Sequence, residues 1–243
     1  MEDSSVSGII HAILGVLGPA LFIALQISCL AVATDIYKMK SVKKLSSVPF
    51  ASLMANGVLW TEYGMLKSDK TIFVPNALSL VTAVVCMSIY YKYAIVKPVL
   101  IYLCVALLAL IGAYLAALRD TSTIGIMGCM LSVMMSGSPL AVINTVIKEK
   151  STASLPFWTS FVTWLNTLSW VLYGSVVAHD NMIIMPNTLG LALASLQMCL
   201  FALYGAGNSS SGIGTDGKPV DSFMRGISAE TGSLDEYENP YNV

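Results

Sequence analysis

Charge is what this chain has least of. Asp, Glu, Lys and Arg make up 11% of its 243 residues, under half the roughly one quarter usual in a soluble domain. The net charge is −1 and no basic stripe gathers the lysines, so nucleic acid is not an expected partner. Histidine is scarcer still. His11 and His179 are the only two, neither stands at ligand spacing from a Cys, Asp or Glu, and no His-Glu-x-x-His run occurs. No metal or other cofactor is therefore expected. A Gly-x-Ser-x-Gly elbow is missing, as is a pair of acids, which leaves an enzyme without a nucleophile or an acid–base set. The cysteines, Cys29, Cys86, Cys104, Cys129 and Cys199, each lie inside an apolar run with no Cys-x-x-Cys spacing. They read as small helix residues, not as a disulfide or metal framework. The start, Met1-Glu2-Asp3-Ser4, has no basic n-region, so the first apolar run is expected to stay as a membrane helix. The last apolar run has no lysine, which excludes a retinal Schiff base there.

What is present is apolar surface. Hydrophobic residues are 56% of the chain, and they come in runs of roughly 20, the length that crosses a bilayer. The reading is an all-α, multi-pass membrane protein of seven spans, over 8–33, 47–66, 72–91, 98–118, 124–146, 155–178 and 182–204. Lys38, Lys40, Lys43, Lys44, Lys92, Lys97, Lys148 and Lys150 fall in alternate loops, against Lys67, Lys70 and Arg119 on the other side. The positive-inside rule then places the N-terminus outside and the C-terminus in the cytosol. The plasma membrane is the expected site, with an internal membrane left open. From residue 206 the composition turns polar and acidic. Gly207-Asn208-Ser209-Ser210-Ser211-Gly212 reads as a linker and the rest as a disordered tail. Its final Asn239-Pro240-Tyr241 is taken as tail, in preference to a sorting motif.

One motif occurs twice. Lys40-Ser41, Pro49, Asn56, Trp60, Tyr63-Gly64 and Pro75-Asn76 return as Lys150-Ser151, Pro156, Asn166, Trp170, Tyr173-Gly174 and Pro186-Asn187. The two tryptophans are 110 residues apart and the two Pro-Asn pairs 111, so one residue was gained in between. An ungapped offset of 110 also pairs Gly15 with Gly125, Gly18 with Gly128 and Lys38 with Lys148. A period this long is a duplicated three-span unit. The fourth span is left over, and an odd extra span keeps the two copies parallel, with a solute site between them near the midplane. The expected organisation is an outer N-terminus over 1–7, a first bundle over 8–93, a linker helix over 94–119, a second bundle over 120–205 and the tail over 206–243.

Polar groups inside spans cost free energy and so carry information. Asn56 and Trp60 are four apart and share one helix face, as do Asn166 and Trp170. With Asn76 and Asn187 they supply two indoles and four carboxamides to one cavity. Indole faces stack on the C–H faces of sugar rings, and carboxamides donate to and accept from hydroxyls. A lone Trp is usually an interfacial residue and a lone Asn an interhelix tie; repetition at matched positions favours a pocket. Glu62 is the one acid inside a span. It is read as reaching the outer interface, with a proton-coupling role as the alternative.

These residues resemble the SWEET sugar transporters. The resemblance runs over about residues 8–205 and is strongest from Ser138-Pro139-Leu140 through Lys150-Ser151, Pro156, Ser169-Trp170-Val171-Leu172-Tyr173-Gly174 and Pro186-Asn187-Thr188-Leu189-Gly190. It implies two three-helix bundles, each with its third helix between the other two, joined by a linker helix. It also implies bidirectional facilitated diffusion of a sugar by alternating access, and leaves a homo-oligomer open. The family's pocket residues map to Asn56, Trp60, Asn76, Asn166, Trp170 and Asn187, its outer gate to Tyr63 and Asp180, and its inner proline hinge to Cys29, Pro49, Pro139 and Pro156. The first hinge proline is here Cys29, so the first copy is expected to bend less readily than the second. Asn56 and Asn166 stand where smaller residues are common, and Leu25 and Met135 line the same region by analogy, which favours a hexose such as glucose. Two rivals stand beside this reading. One is a proton-coupled carrier of amino acids or another small metabolite on the related PQ-loop bundle, with Glu62 as coupling group. The other is a seven-helix receptor, against which the internal repeat argues.

Overall fold

The computed structural model describes residues 2–43, 45–153 and 155–205; the expected tail over 206–243 lies outside the described residues. Helices α1 (Glu2–Met39), α2 (Val48–Leu66), α3 (Lys70–Tyr93) and α4 (Val99–Ala117) are followed by α5 (Thr121–Met135), α6 (Gly137–Glu149), α7 (Phe157–Leu172), a π-helical turn (Tyr173–Ala178) and α8 (Asn181–Tyr204). Among the described residues there is no strand. Six stretches of the described residues are long and apolar enough to cross a membrane, with α5 and α6 counted as one. The exception is α2, whose Asn56, Thr61 and Glu62 dilute its apolar character.

Helix α3 lies between α1 and α2 and packs on both, and α8 likewise packs on α7 and on α5 and α6. The bundles meet through α1 on α7 and α2 on α5, one contact generated twice by the repeat. Helix α4 packs on α2 and buries only Val105 and Gly112. Its Leu100, Leu103, Leu107 and Leu110 stand exposed, as side chains facing lipid do. The expected all-helical fold of repeated bundles is therefore present.

The repeated Lys-Ser pair turns out to be a helix stop. Lys40 and Lys150 both take left-handed backbone angles, with φ of 56° and 51°, a conformation that ends a helix. Each following serine then accepts a backbone N–H two residues on, Ser41 Oγ from Lys43 at 3.1 Å and Ser151 Oγ from Ala153 at 3.3 Å. That local hydrogen bond competes with helix and fixes the turn.

The residue gained in the second copy is also visible. In the first copy α2 ends at Leu66, and Ser68 turns left-handed (φ 55°) just before Asp69. In the second the chain passes through the π turn, and His179 (φ 48°) precedes Asp180. A π turn absorbs one extra residue without unwinding the helix, so everything after it aligns at an offset of 111.

The helices differ between the copies at Cys29 and Pro139. Helix α1 runs unbroken through Cys29. At the equivalent place α5 stops at Met135 and α6 starts at Gly137. Pro139 has no N–H for the Met135 carbonyl and its ring crowds that carbonyl; Ser136 N–H turns instead to Val133 at 3.0 Å. Pro49 sits in the first turn of α2 and Pro156 caps α7, places where a missing N–H costs little.

Candidate solute cavity and its latches

All six residues selected by the repeat line one cavity of about 130 Å³: Asn56, Trp60, Asn76, Asn166, Trp170 and Asn187. Each reaches it for a local reason. Pro75 and Pro186 lie inside α3 and α8. The asparagine that follows each donates Nδ2–H to the carbonyl four residues back, Asn76 to Ile72 at 2.7 Å and Asn187 to Ile183 at 2.8 Å. That bond fixes which end of the amide is nitrogen and leaves the acceptor oxygen uncommitted. The Met182 carbonyl, deprived of a helical donor by Pro186, accepts instead from Cys129 Sγ at 3.1 Å.

The indoles are seated on glycines of the opposite bundle. A Cβ on Gly18 would lie 3.3 Å from Trp170, and one on Gly128 would lie 3.2 Å from Trp60. This gives the Gly18–Gly128 match its physical reason. One turn above each indole on the same face is a tyrosine, edge-on to the ring: Trp60–Tyr63 at 5.4 Å between centroids and Trp170–Tyr173 at 5.8 Å. Indoles and phenols thus form a shared apolar layer between the bundles, completed by Leu14, Ile72, Ile124 and Ile183.

Above that layer the bundles are tied twice. Tyr63 O–H donates to Asp180 Oδ2 at 2.6 Å, and Tyr173 O–H donates to Asp69 Oδ2 at 2.7 Å. Each phenol comes from one copy and each carboxylate from the other. Both acids are also helix caps, Asp69 accepting from Thr71 and Ile72 N–H and Asp180 from Met182 N–H. The two latches are not equal. Lys67 pairs with Asp180 at 2.9 Å, whereas the second copy has Ala178 at that place. Burial pushes the Asp180 carboxyl up, but Tyr63 O–H, the Lys67 ammonium and Met182 N–H together hold it below the usual aspartate range. A wider recess of about 380 Å³ lies beyond, lined in part by Tyr63, Lys67, His179 and Asp180.

At the other end no such tie between the bundles is found among the described residues. Helix α6 packs on α8 and on the end of α5, and no extensive packing of it against the first bundle is found among the described residues. Cys29 is buried in the first bundle's core with Phe50 and Ala51, the two residues that follow Pro49 in the chain. Pro139 and Pro156 open the helices that frame a separate core in the second bundle. The conformation is closed at the latches and unlatched at the hinge end.

Sequence reasoning missed six residues here: Ile72 and Ile183, which line the cavity at matched positions of the two copies, and four more. Asp69 and Tyr173 form the second latch. The spacing from Asp to Pro-Asn is the same in both copies (Asp69 to Pro75, Asp180 to Pro186), but the inserted residue hides the match when no gap is allowed. Ser132 and Phe22 also line the cavity, and they escaped because they differ between copies. Glu62 is half-buried; its Oε2 has no hydrogen-bond partner among the described residues and sits against Gly112 of α4, away from the cavity lining. Among the described residues no group of three His, Cys, Asp or Glu side chains is close enough to hold a metal.

The family described as "Sugar efflux transporter for intercellular exchange" matches this chain twice, over residues 12–98 and 122–208. The two matched stretches are themselves 110 residues apart. The bidirectional sugar transporter SWEET7 of Arabidopsis thaliana is 27% identical over 210 residues, covering 81% of each chain. The sugar transporter SWEET1 of Drosophila pseudoobscura pseudoobscura is 29% identical over 174 residues, covering 68% of this chain and 76% of its own length. The 3.7 Å structure of a eukaryotic SWEET transporter superposes with a TM-score of 0.74 at 25% identity, over 83% of this chain and 99% of that one.

Proposed function

The chain belongs to the family of sugar efflux transporters for intercellular exchange, and from that premise we propose that it is a facilitative, bidirectional sugar carrier working by alternating access. The observation that carries this is the convergence of two Asn–Trp half-sites on one cavity sealed at one end by two cross-bundle latches. The lining offers carboxamides, indoles and aliphatic groups and no charge. Such a lining satisfies hydroxyls and stacks on ring C–H faces, and it gives no counter-charge to an ion. Transport then needs no coupling ion, and the sugar gradient sets its direction.

In the cycle, sugar enters from the outer side when Tyr63–Asp180 and Tyr173–Asp69 are parted. Binding between Trp60 and Trp170 draws the bundles together above it, and the latches reform. The bundles then separate at the end marked by Cys29, Pro49, Pro139 and Pro156, releasing sugar to the lysine-rich side. The lysine distribution supports the N-terminus outside and the C-terminus in the cytosol. The small cavity, about 130 Å³, supports a hexose such as glucose over a disaccharide. Glu62, turned toward α4 and outside the cavity, favours uniport over proton coupling.

The test is counterflow of labelled glucose in proteoliposomes. Wild-type protein should equilibrate glucose with or without a proton uncoupler, and Asn76→Ala with Asn187→Ala should abolish the flux. Uncoupler-sensitive flux, or full flux in the double variant, overturns this reading.

A further inference from the structure

Residues 22 and 132 are the same place in the two copies. Each lies one turn beyond the glycine that seats an indole, Phe22 after Gly18 on α1 and Ser132 after Gly128 on α5, and both line the cavity. Their chemistry is opposite. Trp60 Nε1–H donates to Ser132 Oγ at 3.2 Å, and Ser132 O–H donates to Asn56 Oδ1 at 2.9 Å. The indole donor and the amide acceptor of the first half-site are thereby both engaged with Ser132, and Asn56 Nδ2 is left as its uncommitted polar group. In the second half-site Phe22 has nothing to donate or accept. Asn166 is 7% exposed and its Oδ1 is buried with no partner. Trp170 Nε1–H, four residues on and on the same face of α7, makes no hydrogen bond among the described residues.

Buried polar groups are normally paired, and an orphan needs an explanation. Here the explanation is a ligand. We propose that Phe22 and Ser132 set the orientation of the bound sugar and are specificity-determining residues. Ser132 takes up the Trp60 donor and the Asn56 acceptor oxygen, so the first side offers the sugar no donor–acceptor pair and meets it chiefly through the indole face. Phe22 keeps Asn166 Oδ1 and Trp170 Nε1 open as an acceptor and a donor for one hydroxyl of the sugar, which can both give and take a hydrogen bond. Asn76 and Asn187 are held alike by their helices and contribute no such polarity. A site made from a near-perfect repeat thus binds its solute in one direction only. This inference rests on the sugar reading of the cavity.

The experiment is competition against labelled glucose counterflow by a panel of deoxyglucoses, each lacking one hydroxyl, with folding followed by size exclusion in detergent. In the wild type one analogue should compete about tenfold worse than glucose, the loss of roughly one well-made hydrogen bond. In Asn166→Leu, which keeps the shape and removes the acceptor, glucose itself should weaken by a similar factor and that analogue's penalty should vanish. Phe22→Ser, which gives Asn166 an internal donor, should do the same. Ser132→Ala should retain the original penalty and add a second, at a hydroxyl now reached by Asn56. A flat wild-type profile overturns the inference while leaving the sugar reading intact, and so does an original penalty that survives Asn166→Leu. Absence of glucose counterflow in the wild type overturns the sugar reading itself.

Discussion

Tyr63 on α2 gives its phenol proton to the Asp180 carboxylate at the start of α8, 2.6 Å away, so a side chain of one repeat closes on the cap of the other. Hydrogen bonds to a charged partner contribute about 1.5–3 kcal/mol, roughly a tenfold to hundredfold change in a two-state ratio. Tyr63→Phe removes that bond but leaves Asp180 its lysine. Tyr173→Phe leaves Asp69 Oδ2 with no side-chain partner. Cys129, beneath the latches, reports the opening. With Cys104 and Cys199 replaced by serine, a membrane-impermeant thiol reagent applied from the latch side should label Cys129 faster in either variant and fastest in both together. Unchanged labelling in the double variant means the phenols do not hold this end closed.

The acid limb follows from Asp180. Its carboxyl is held below the ordinary aspartate value, which is about 3.9. A group depressed in this way contributes stability that is complete above the ordinary value and is lost as pH falls through the lower one. Latch closure should therefore be flat from neutral pH down to the ordinary aspartate value and fail only below it. Cys129 labelling against pH, on protein kept below denaturing acidity by short exposure, reads this directly. A midpoint at or above the ordinary aspartate value would show that Asp180 does not control the latch.

Much of this was legible before any coordinates. Seven apolar runs and a 110-residue period dictate two parallel bundles and a spare helix, and repetition at matched positions picks out the six residues around the cavity. Much of what was hidden breaks the repeat, although Ile72 and Ile183 match between the copies and went unselected because an aliphatic residue in an apolar run carries no signal. Ser132 and Phe22 differ between copies, so a search for matches discards them. Asp69 falls out of register because the π turn takes up one residue after Tyr173. Glu62 was placed by its distance along the chain from Lys67. Its real environment depends on which face of α2 meets α4, and periodicity within one helix does not reveal that.

The hinge asymmetry makes a prediction of its own. Cys29 leaves α1 continuous, and its carbonyl accepts from Cys86 Sγ at 3.5 Å. Cys29→Pro removes a helical hydrogen bond and places a ring against the Leu25 carbonyl, a cost of about 3 kcal/mol in a helix interior. The melting temperature in detergent should fall. Turnover at saturating sugar should rise, because the first bundle gains the break that Pro139 gives the second. A lower melting temperature with unchanged turnover would show that the first bundle moves as a rigid body and needs no hinge.

The glycine seats should also be unequal. A Cβ at Gly128 meets an indole pinned by Ser132, whereas a Cβ at Gly18 meets one with no hydrogen bond to hold it. Overpacking costs roughly 1–3 kcal/mol when the neighbour cannot yield. Gly128→Ala should therefore lower the melting temperature more than Gly18→Ala, and Ser132→Ala should relieve part of the difference. Equal losses in the two alanine variants would mean that Ser132 does not restrain Trp60.

Gly112 and Glu62 offer the sharpest test of the packing outside the cavity. Helix α4 is apolar throughout and buries only two residues, one of them Gly112. The Glu62 carboxyl lies over that glycine with Oε2 buried and unpaired, and a Cβ added there would overlap it. Glycine thus leaves the volume that the acid's carboxyl fills, and the acid is required by nothing visible in the transport cavity. Gly112→Ala should lower stability in detergent only modestly, because the added methyl displaces the flexible end of the Glu62 side chain and no backbone. Glu62→Ala should be tolerated, since an orphaned buried carboxyl costs free energy. The double variant should recover most of the stability lost in Gly112→Ala, a coupling of the kind seen between residues in direct contact. Uncoupler-resistant glucose flux should persist in Glu62→Ala and in the double variant. Loss of flux in Glu62→Ala with the fold intact would return the carboxyl to the transport mechanism and reopen proton coupling.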